Sequence, residues 1–268
     1  MAEQLSPAQV DAYLGRLGQV GGRAPTLEVL ESLHLAHLRA VPFENLDIHR
    51  GVPIRLELNH LHEKVVGRRR GGYCYELNGL FAALVRAQGY EVELLSARVG
   101  RPDGSYTPAF DHMALRVRSP RLLVPHLADV GFGDAFLRPI PLEPGTTRQE
   151  GAKALRLDLR AAAASGTGQA AWVYQEDRGA GFRPEHGYAF TLTPHPLEAF
   201  EPRNLFQQAS PESHFTHGRL CTLATPTGRL TLSGHQLITT ADGVKTEALL
   251  DDGQVVAVLR ERFGIILA

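Results

Sequence analysis

The stretch RRRGGYCYELNG, Arg68–Gly79, sets one of the chain's two cysteines directly behind a Gly-Gly pair and directly ahead of a helical run. Leu77, Leu80, Phe81, Leu84 and Val85 recur at the three-to-four spacing of a helix with one buried face, and Gly89 stops it. Cys74 therefore stands at a first turn. Unpaired backbone N–H groups there favour negative charge, which lowers the pKa of a thiol and offers donors to a developing oxyanion. Gly71 and Gly72 allow a tight backbone approach and leave room for a substrate. A free cysteine also serves as a small buried hydrophobe, so position alone leaves nucleophile and core packing both open.

Upstream of this stretch the chain reads as helical. Ser6-Pro7 opens one helix and Pro25-Thr26 a second, in which Leu27, Leu30, His34, Leu38 and Val41 share a face. His34 on that stripe reads as a hydrogen-bonded core histidine. Pro42 ends the helix and leads into a loop, VPFENLDIHRG, before a short helix over residues 58–66. Downstream of Gly89 the period changes. YEVELL, HMALRV, LRLDL, WVYQED and YAFTLTP are short β-forming runs separated by Gly, Pro and Asp, which predicts an antiparallel sheet or small barrel. The Ala-rich RAAAASGTGQAA reads as a surface loop. From EPRNL onward, RLCTLAT, GRLTLSG and HQLITT predict further strands, and a last helix falls near residues 253–263. The expected fold class is α+β in three segments, helical over 1–89, β over 90–200 and mixed over 201–268, joined by short links into one compact molecule.

Composition narrows the function. With 268 residues, 43% hydrophobic and 21% charged, the chain is an ordinary globular protein with a sizeable core. A net charge of −1 gives no footprint for nucleic acid or an anionic membrane. No basic-then-apolar leader opens the sequence and no apolar run approaches the roughly 20 residues that span a bilayer, so a cytoplasmic location is expected. Cys74 and Cys221 lack CxxC spacing, and a disulfide between them has no use in a reducing cytosol. The closest histidine pairs, His34/His37 and His60/His62, lack an acidic or cysteine partner at ligand spacing, so no metal is expected. Cys221, in a β-rich stretch without a His or Asp signal, reads as packing.

A nucleophilic cysteine needs a base and a group that orients the base. In AFDHMALRV, Met113, Leu115 and Val117 take one strand face and leave His112 on the other. In HLADVGFGD, Asp129 stands among apolar residues, where an unpaired carboxylate is costly. They stand 17 residues apart, which suits a strand, a turn and a return strand. The order Cys, His, Asp is geometrically plausible, although spacing does not prove it.

VPFENLDIH, RGGYCYELNGLF, DHMALRV and DVGFGD, in that order, closely resemble the arylamine N-acetyltransferases, and the resemblance runs on through NLFQQASPESHFT to RFGIIL. It implies a helical bundle, a β-barrel and an α/β lid around a cysteine-proteinase-like catalytic core. It matches Cys74, His112 and Asp129 to the family's triad, Glu44 and Arg70 to a structural ion pair, and Phe43 and Phe132 to aromatic residues of the acceptor pocket. It further implies ping-pong transfer of an acetyl group from acetyl-CoA, through a Cys74 thioester, to an arylamine or hydrazine. Acetyl-CoA would be a co-substrate, with no permanently bound cofactor, and the protein a monomer or homodimer. The turn with Gly131 and Gly133 and the loop over residues 210–216 are candidates for CoA contact, neither with a Walker or Rossmann fingerprint. Pro125-His126 departs from the plain strand that usually precedes the family's Asp-Val-Gly.

Three other readings share these residues: an amide synthase closing a polyketide macrolactam, a Cys-His-Asp hydrolase resembling transglutaminases or cysteine proteases, and a binding protein that kept the scaffold. Retention of Cys74, His112 and Asp129 together argues against the last, because core packing does not demand all three.

Overall fold

The computed structural model of the chain describes residues 4–267; residues 1–3 and 268, at the outer ends of the first and third expected segments, lie outside the described residues. Helices α1 (Pro7–Leu17) and α2 (Leu27–Ala40) form as their start signals predict. Ser6 caps α1 in a reciprocal box, its hydroxyl accepting from the Gln9 N–H while the Gln9 side chain accepts from the Ser6 N–H. Strand β1 (Phe43–Glu44) and the one-turn α3 (Leu46–His49) occupy what the sequence suggests is loop. The expected helix over 58–66 is α4 (Leu58–His62), which widens into a π turn over Glu63–Gly67. Next comes α5 (Cys74–Ala87), buried on nearly all sides from Cys74 to Val85.

Eight strands follow: β2 (Glu91–Val99), β3 (His112–Arg118), β4 (His126–Ala128), β5 (Ile140–Pro141), β6 (Thr146–Glu150), β7 (Lys153–Arg160), β8 (Ala171–Asp177) and β9 (Phe182–His195). They pair antiparallel in the order β5-β4-β3-β2-β9-β8-β7-β6 and curl into a nearly closed barrel. Pro125 does not break the sheet: β4 is only three residues long, but it pairs with β3 with His126 opposite Val117. The Ala-rich segment carries a short helix, α6 (Ala162–Ser165), where the sequence predicts loop. Helix α7 (Glu201–Ala209) leads to β10 (Leu220–Thr225), β11 (Gly228–Ser233), β12 (Gln236–Ala241), β13 (Val244–Leu249) and α8 (Asp252–Arg262).

The second sheet runs β1-β10-β11-β12-β13. Its first strand comes from the N-terminal helical segment, with Phe43 opposite Thr222 and Glu44 opposite Cys221. At its other end β13 is exposed along its whole length. Three main hydrophobic cores result. The helices pack on Met113, Leu115 and Val117, while Ala114 on the opposite face of β3 joins the barrel interior with Leu95, Phe136 and Tyr188. The alternation read from HMALRV is thus the division between two cores. The third core lies under the second sheet, where Cys221 is fully buried beside Leu46, Leu259 and Phe263. Among the described residues no helix is long and apolar enough to cross a membrane.

Candidate active site

The turn before α5 is held by close backbone contact. A Cβ on Gly71 would lie 1.9 Å from the Pro42 carbonyl oxygen, so only glycine fits there. Phe43 bridges Gly72 in parallel fashion, and the Glu44 N–H donates to the Gly72 carbonyl at 2.8 Å. A Cβ on Gly72 would meet the Glu76 carboxylate at 2.6 Å. The Gly-Gly pair therefore makes room for the Pro42–Glu44 backbone and for Glu76, where the sequence suggested a substrate.

Beneath this turn lies a buried charge network. Arg70 donates to Glu44 at 2.8 and 3.0 Å and reaches Asp47 at 2.9 Å. Lys64 bridges Asp47 at 2.8 Å and Glu76 at 2.7 Å, and Glu76 also accepts the Tyr73 N–H at 3.0 Å. Burial works against the charge on Lys64, but the carboxylates of Glu76, Glu44 and Asp47 hold its pKa above the ordinary value. Glu44 and Arg70 do pair, as two members of a larger cluster; Asp47, Lys64 and Glu76 carried no signal that sequence reasoning picked out.

His112 opens β3, and Asp129 stands one residue past β4 on the neighbouring strand. The two side chains meet at 2.7 Å, His112 Nε2 to Asp129 Oδ2, both buried. Nδ1 is thereby the ring nitrogen that Asp129 does not engage. The ring is walled by Phe132 and Tyr188, with centroids 5.0 and 4.8 Å away. Asp129 Oδ1 accepts from Asn78 Nδ2 at 2.8 Å and from the Gly131 N–H at 2.9 Å. Burial pushes the Asp129 pKa up, but His112, Asn78 and the Gly131 amide outweigh it, and the carboxyl is held below its ordinary range.

Cys74 is buried against the same turn: a Cβ on Gly131 would lie 2.7 Å from the Cys74 Cα and 2.7 Å from Asn78 Nδ2. The backbone N–H of Met113, the residue after His112, bonds to the thiol and favours its charged form, as does that of Tyr75. Burial nevertheless dominates, and with Asp111 and Asp129 nearby the thiol is pushed well up. The helix terminus does not lower the pKa of Cys74 by itself, as the sequence led us to expect. A lone thiolate is disfavoured here.

Asn78 lies one helical turn beyond Cys74 in the opening stretch, and its role was missed there. Its Nδ2 also donates to the Met113 carbonyl at 2.6 Å, and its Oδ1 accepts the Val130 N–H at 2.9 Å, so one side chain ties α5 to β3 and to the segment that follows β4. The i, i+4 spacing from Cys74 could have flagged it. Asp111 is held at 2.6 Å by both Arg203 and Gln207 of α7.

A family model described as N-acetyltransferase matches residues 26–268. An arylamine N-acetyltransferase from Mycolicibacterium smegmatis is 36% identical over 260 residues, covering 95% of this chain and 91% of that one. The chain belongs to the arylamine N-acetyltransferase family. Among arylamine N-acetyltransferases of known structure, that of Mycobacterium marinum matches with a TM-score of 0.86 at 36% identity, over 96% of this chain and 92% of that one. The Mycobacterium marinum enzyme in complex with CoA matches with a TM-score of 0.85 at 35% identity, over 96% and 92%. The helices, barrel and second sheet are the architecture of this family.

The remaining residues singled out in the sequence lie around Cys74, His112 and Asp129. Phe43 is buried, its ring 6.2 Å from that of Phe215 and under Gly133. Phe132 is half-buried over His112. Gly133 has a φ of 85°, and its carbonyl accepts from Arg229 of β11, which also reaches Asp134 at 3.0 Å. In the 210–216 loop, Ser213 donates to Gln207 at 2.5 Å, and the Phe215 ring packs on Tyr73 at 5.3 Å. A cavity of about 870 Å³ meets α5 at Gly79, Ala83 and Arg86 instead of at Cys74. Among the described residues no group of three or more His, Cys, Asp or Glu side chains is arranged to hold a metal ion.

Proposed function

We propose that this protein transfers an acetyl group from acetyl-CoA to arylamines, arylhydrazines or similar amines by a ping-pong route through a Cys74 thioester. The observation that carries this reading is the His112–Asp129 contact at 2.7 Å beside a buried Cys74 whose thiol meets the Met113 amide. The Cys74 thiol gives its proton to His112 Nδ1, and Asp129 offsets the imidazolium charge. The sulfur attacks the thioester carbonyl, and backbone N–H groups at the start of α5 stabilise the tetrahedral oxyanion. Collapse expels the CoA thiolate, which takes the proton from His112, and leaves S-acetyl-Cys74. The amine then attacks that thioester, gives a proton to His112, and departs as the acetamide while Cys74 is reprotonated. Thioester exchange is nearly balanced and amide formation is downhill, which suits a sulfur nucleophile.

The solved relative in complex with CoA supports acetyl-CoA as the co-substrate. Phe43 and Phe132 would offer aromatic walls to a flat amine. Glu44 and Arg70 fasten the Phe43–Glu44 strand to the catalytic turn and have a structural role. Gly131 is consumed by packing on Cys74, so Gly133 and the 210–216 loop are the better candidates for CoA contact. The division at residues 89 and 200 is proposed as well, with β1 reaching from the first part into the third. A cytoplasmic monomer or homodimer completes the reading.

Intact-protein mass spectrometry after mixing with acetyl-CoA tests it. One acetyl group should appear, mapped to Cys74, and should leave on adding an arylamine; Cys74→Ser should fold and take up none. Acetylation at Cys221, or turnover of peptide amides without CoA, would overturn it.

A further inference from the structure

Asp129 is gripped through its backbone as well as its carboxylate. His34 of α2 is fully buried, and its Nε2 accepts the Asp129 N–H at 3.2 Å. Its Nδ1 lies 3.0 Å from the carbonyl oxygen of Leu137. An amide nitrogen can only donate and a carbonyl can only accept, so the proton sits on Nδ1 and Nε2 is bare. Both neighbours thus dictate one neutral tautomer. The ring stacks on Phe136 at 5.6 Å with planes 8° apart and meets the Phe81 edge at 6.0 Å, so it cannot rotate freely. Asp129, Arg148 and His37 are the titratable groups that face it. Burial pushes the His34 pKa down to about 4, which keeps the ring neutral near pH 7.

We propose that His34 is a positioning residue for acyl transfer, clamping the Asp129 backbone to the loop that runs through Phe132 to Leu137 and so aiming the carboxylate that orients His112. The side chain spans two backbone sites eight residues apart, one at each end of the turn that carries Phe132. With both hydrogen bonds in place, the turn and Asp129 are held as one unit against α2. Without them, the buried Asp129 N–H and the part-buried Leu137 carbonyl lose their partners and relax toward others. A shift on the order of 1 Å at an orienting group is enough to cost about 100-fold in rate. The inference rests on the proposed role of the triad.

Two variants and one wild-type measurement test it. His34→Phe keeps the ring contacts and strips both hydrogen bonds; His34→Gln returns an acceptor toward Asp129. In stopped-flow acetylation, folded His34→Phe should lose about ten-fold or more in the maximal rate with little change in KM for acetyl-CoA, and His34→Gln should recover much of it. Nitrogen-15 NMR of the wild-type histidines should show His34 as the neutral Nδ1–H tautomer, unchanged between about pH 5 and 8. Wild-type rates in folded His34→Phe, or a His34 that titrates in that range or carries its proton on Nε2, would overturn the role. Failure of the wild type to acetylate Cys74 would instead overturn the transfer reading beneath it.

Discussion

At Cys74, burial and the nearby carboxylates oppose charge on the sulfur while two amides favour it, with burial the larger. Reactivity near neutral pH must then depend on where the proton goes. Iodoacetamide labelling and acetylation of Cys74 should both fall sharply in His112→Ala, with labelling recovering only under strongly alkaline conditions. Asp129→Asn keeps the shape but can favour the wrong imidazole tautomer; the comparable change in a serine-protease triad costs about 10⁴, so a loss of several hundred-fold in acetylation is expected. The variant should also melt early, because the buried His112 loses the carboxylate that pairs with it. The Asp129 carboxyl is depressed when folded, so its stabilisation is complete above the unfolded value near pH 4 and is lost as pH falls through the folded value. The melting gap between Asp129→Asn and wild type should therefore hold at neutral pH and close in acid. A gap unchanged at low pH, or wild-type acetylation by the folded variant, would mark Asp129 as structural only.

Among elements, the junction of β1 with the turn before α5 is held by close backbone contact. Gly71→Ala places a methyl against the Pro42 carbonyl, backbone on both sides, so relief requires the strand to move. Overpacking of this kind costs about 1–3 kcal/mol, and the strand that moves is the one bearing Phe43. Gly15, in α1, has open space around its would-be Cβ, so Gly15→Ala should be neutral or stabilising by about 0.4–1 kcal/mol. Denaturant melts of the pair would check the contrast, and equal midpoints would contradict it. This junction was illegible in the sequence. Two residues, Phe43 and Glu44, have no periodicity to read, and their partners Thr222 and Cys221 are far along the chain. Helices with caps and stripes were legible because their signals are local, and so was the alternation that sets His112 apart from Met113, Leu115 and Val117. The stripe showed that His34 is buried. It could not show that His34 serves Asp129, because both partners are backbone atoms and any residue type supplies those. The fall in Cys74 acidity was misread for a similar reason: a helix terminus is visible in sequence, and the depth of burial is not.

For the whole molecule, the exchange of β1 makes the first and third segments share one sheet, and Arg229 fastens that sheet to the barrel at Gly133 and Asp134. Burial and three cations, Arg229, Lys153 and Arg178, act in opposite senses on Asp134, and the cations win, holding its pKa down to about 2. A third segment built this way should not melt ahead of the helices. Thermal unfolding followed by far-UV circular dichroism and by exposure of the Cys221 thiol should give one coincident transition. An earlier exposure of Cys221 would show the segments to be independent. The open end of that sheet has a different consequence. β13 offers a full row of unpaired backbone donors and acceptors to any passing strand, with Val244 and Leu249 uncovered beside it. Lys245 and Glu247, paired on its exposed face, are the kind of charged edge that deters such additions. The barrier to strand addition at this edge is therefore two charged side chains on a stretch remote from the triad residues.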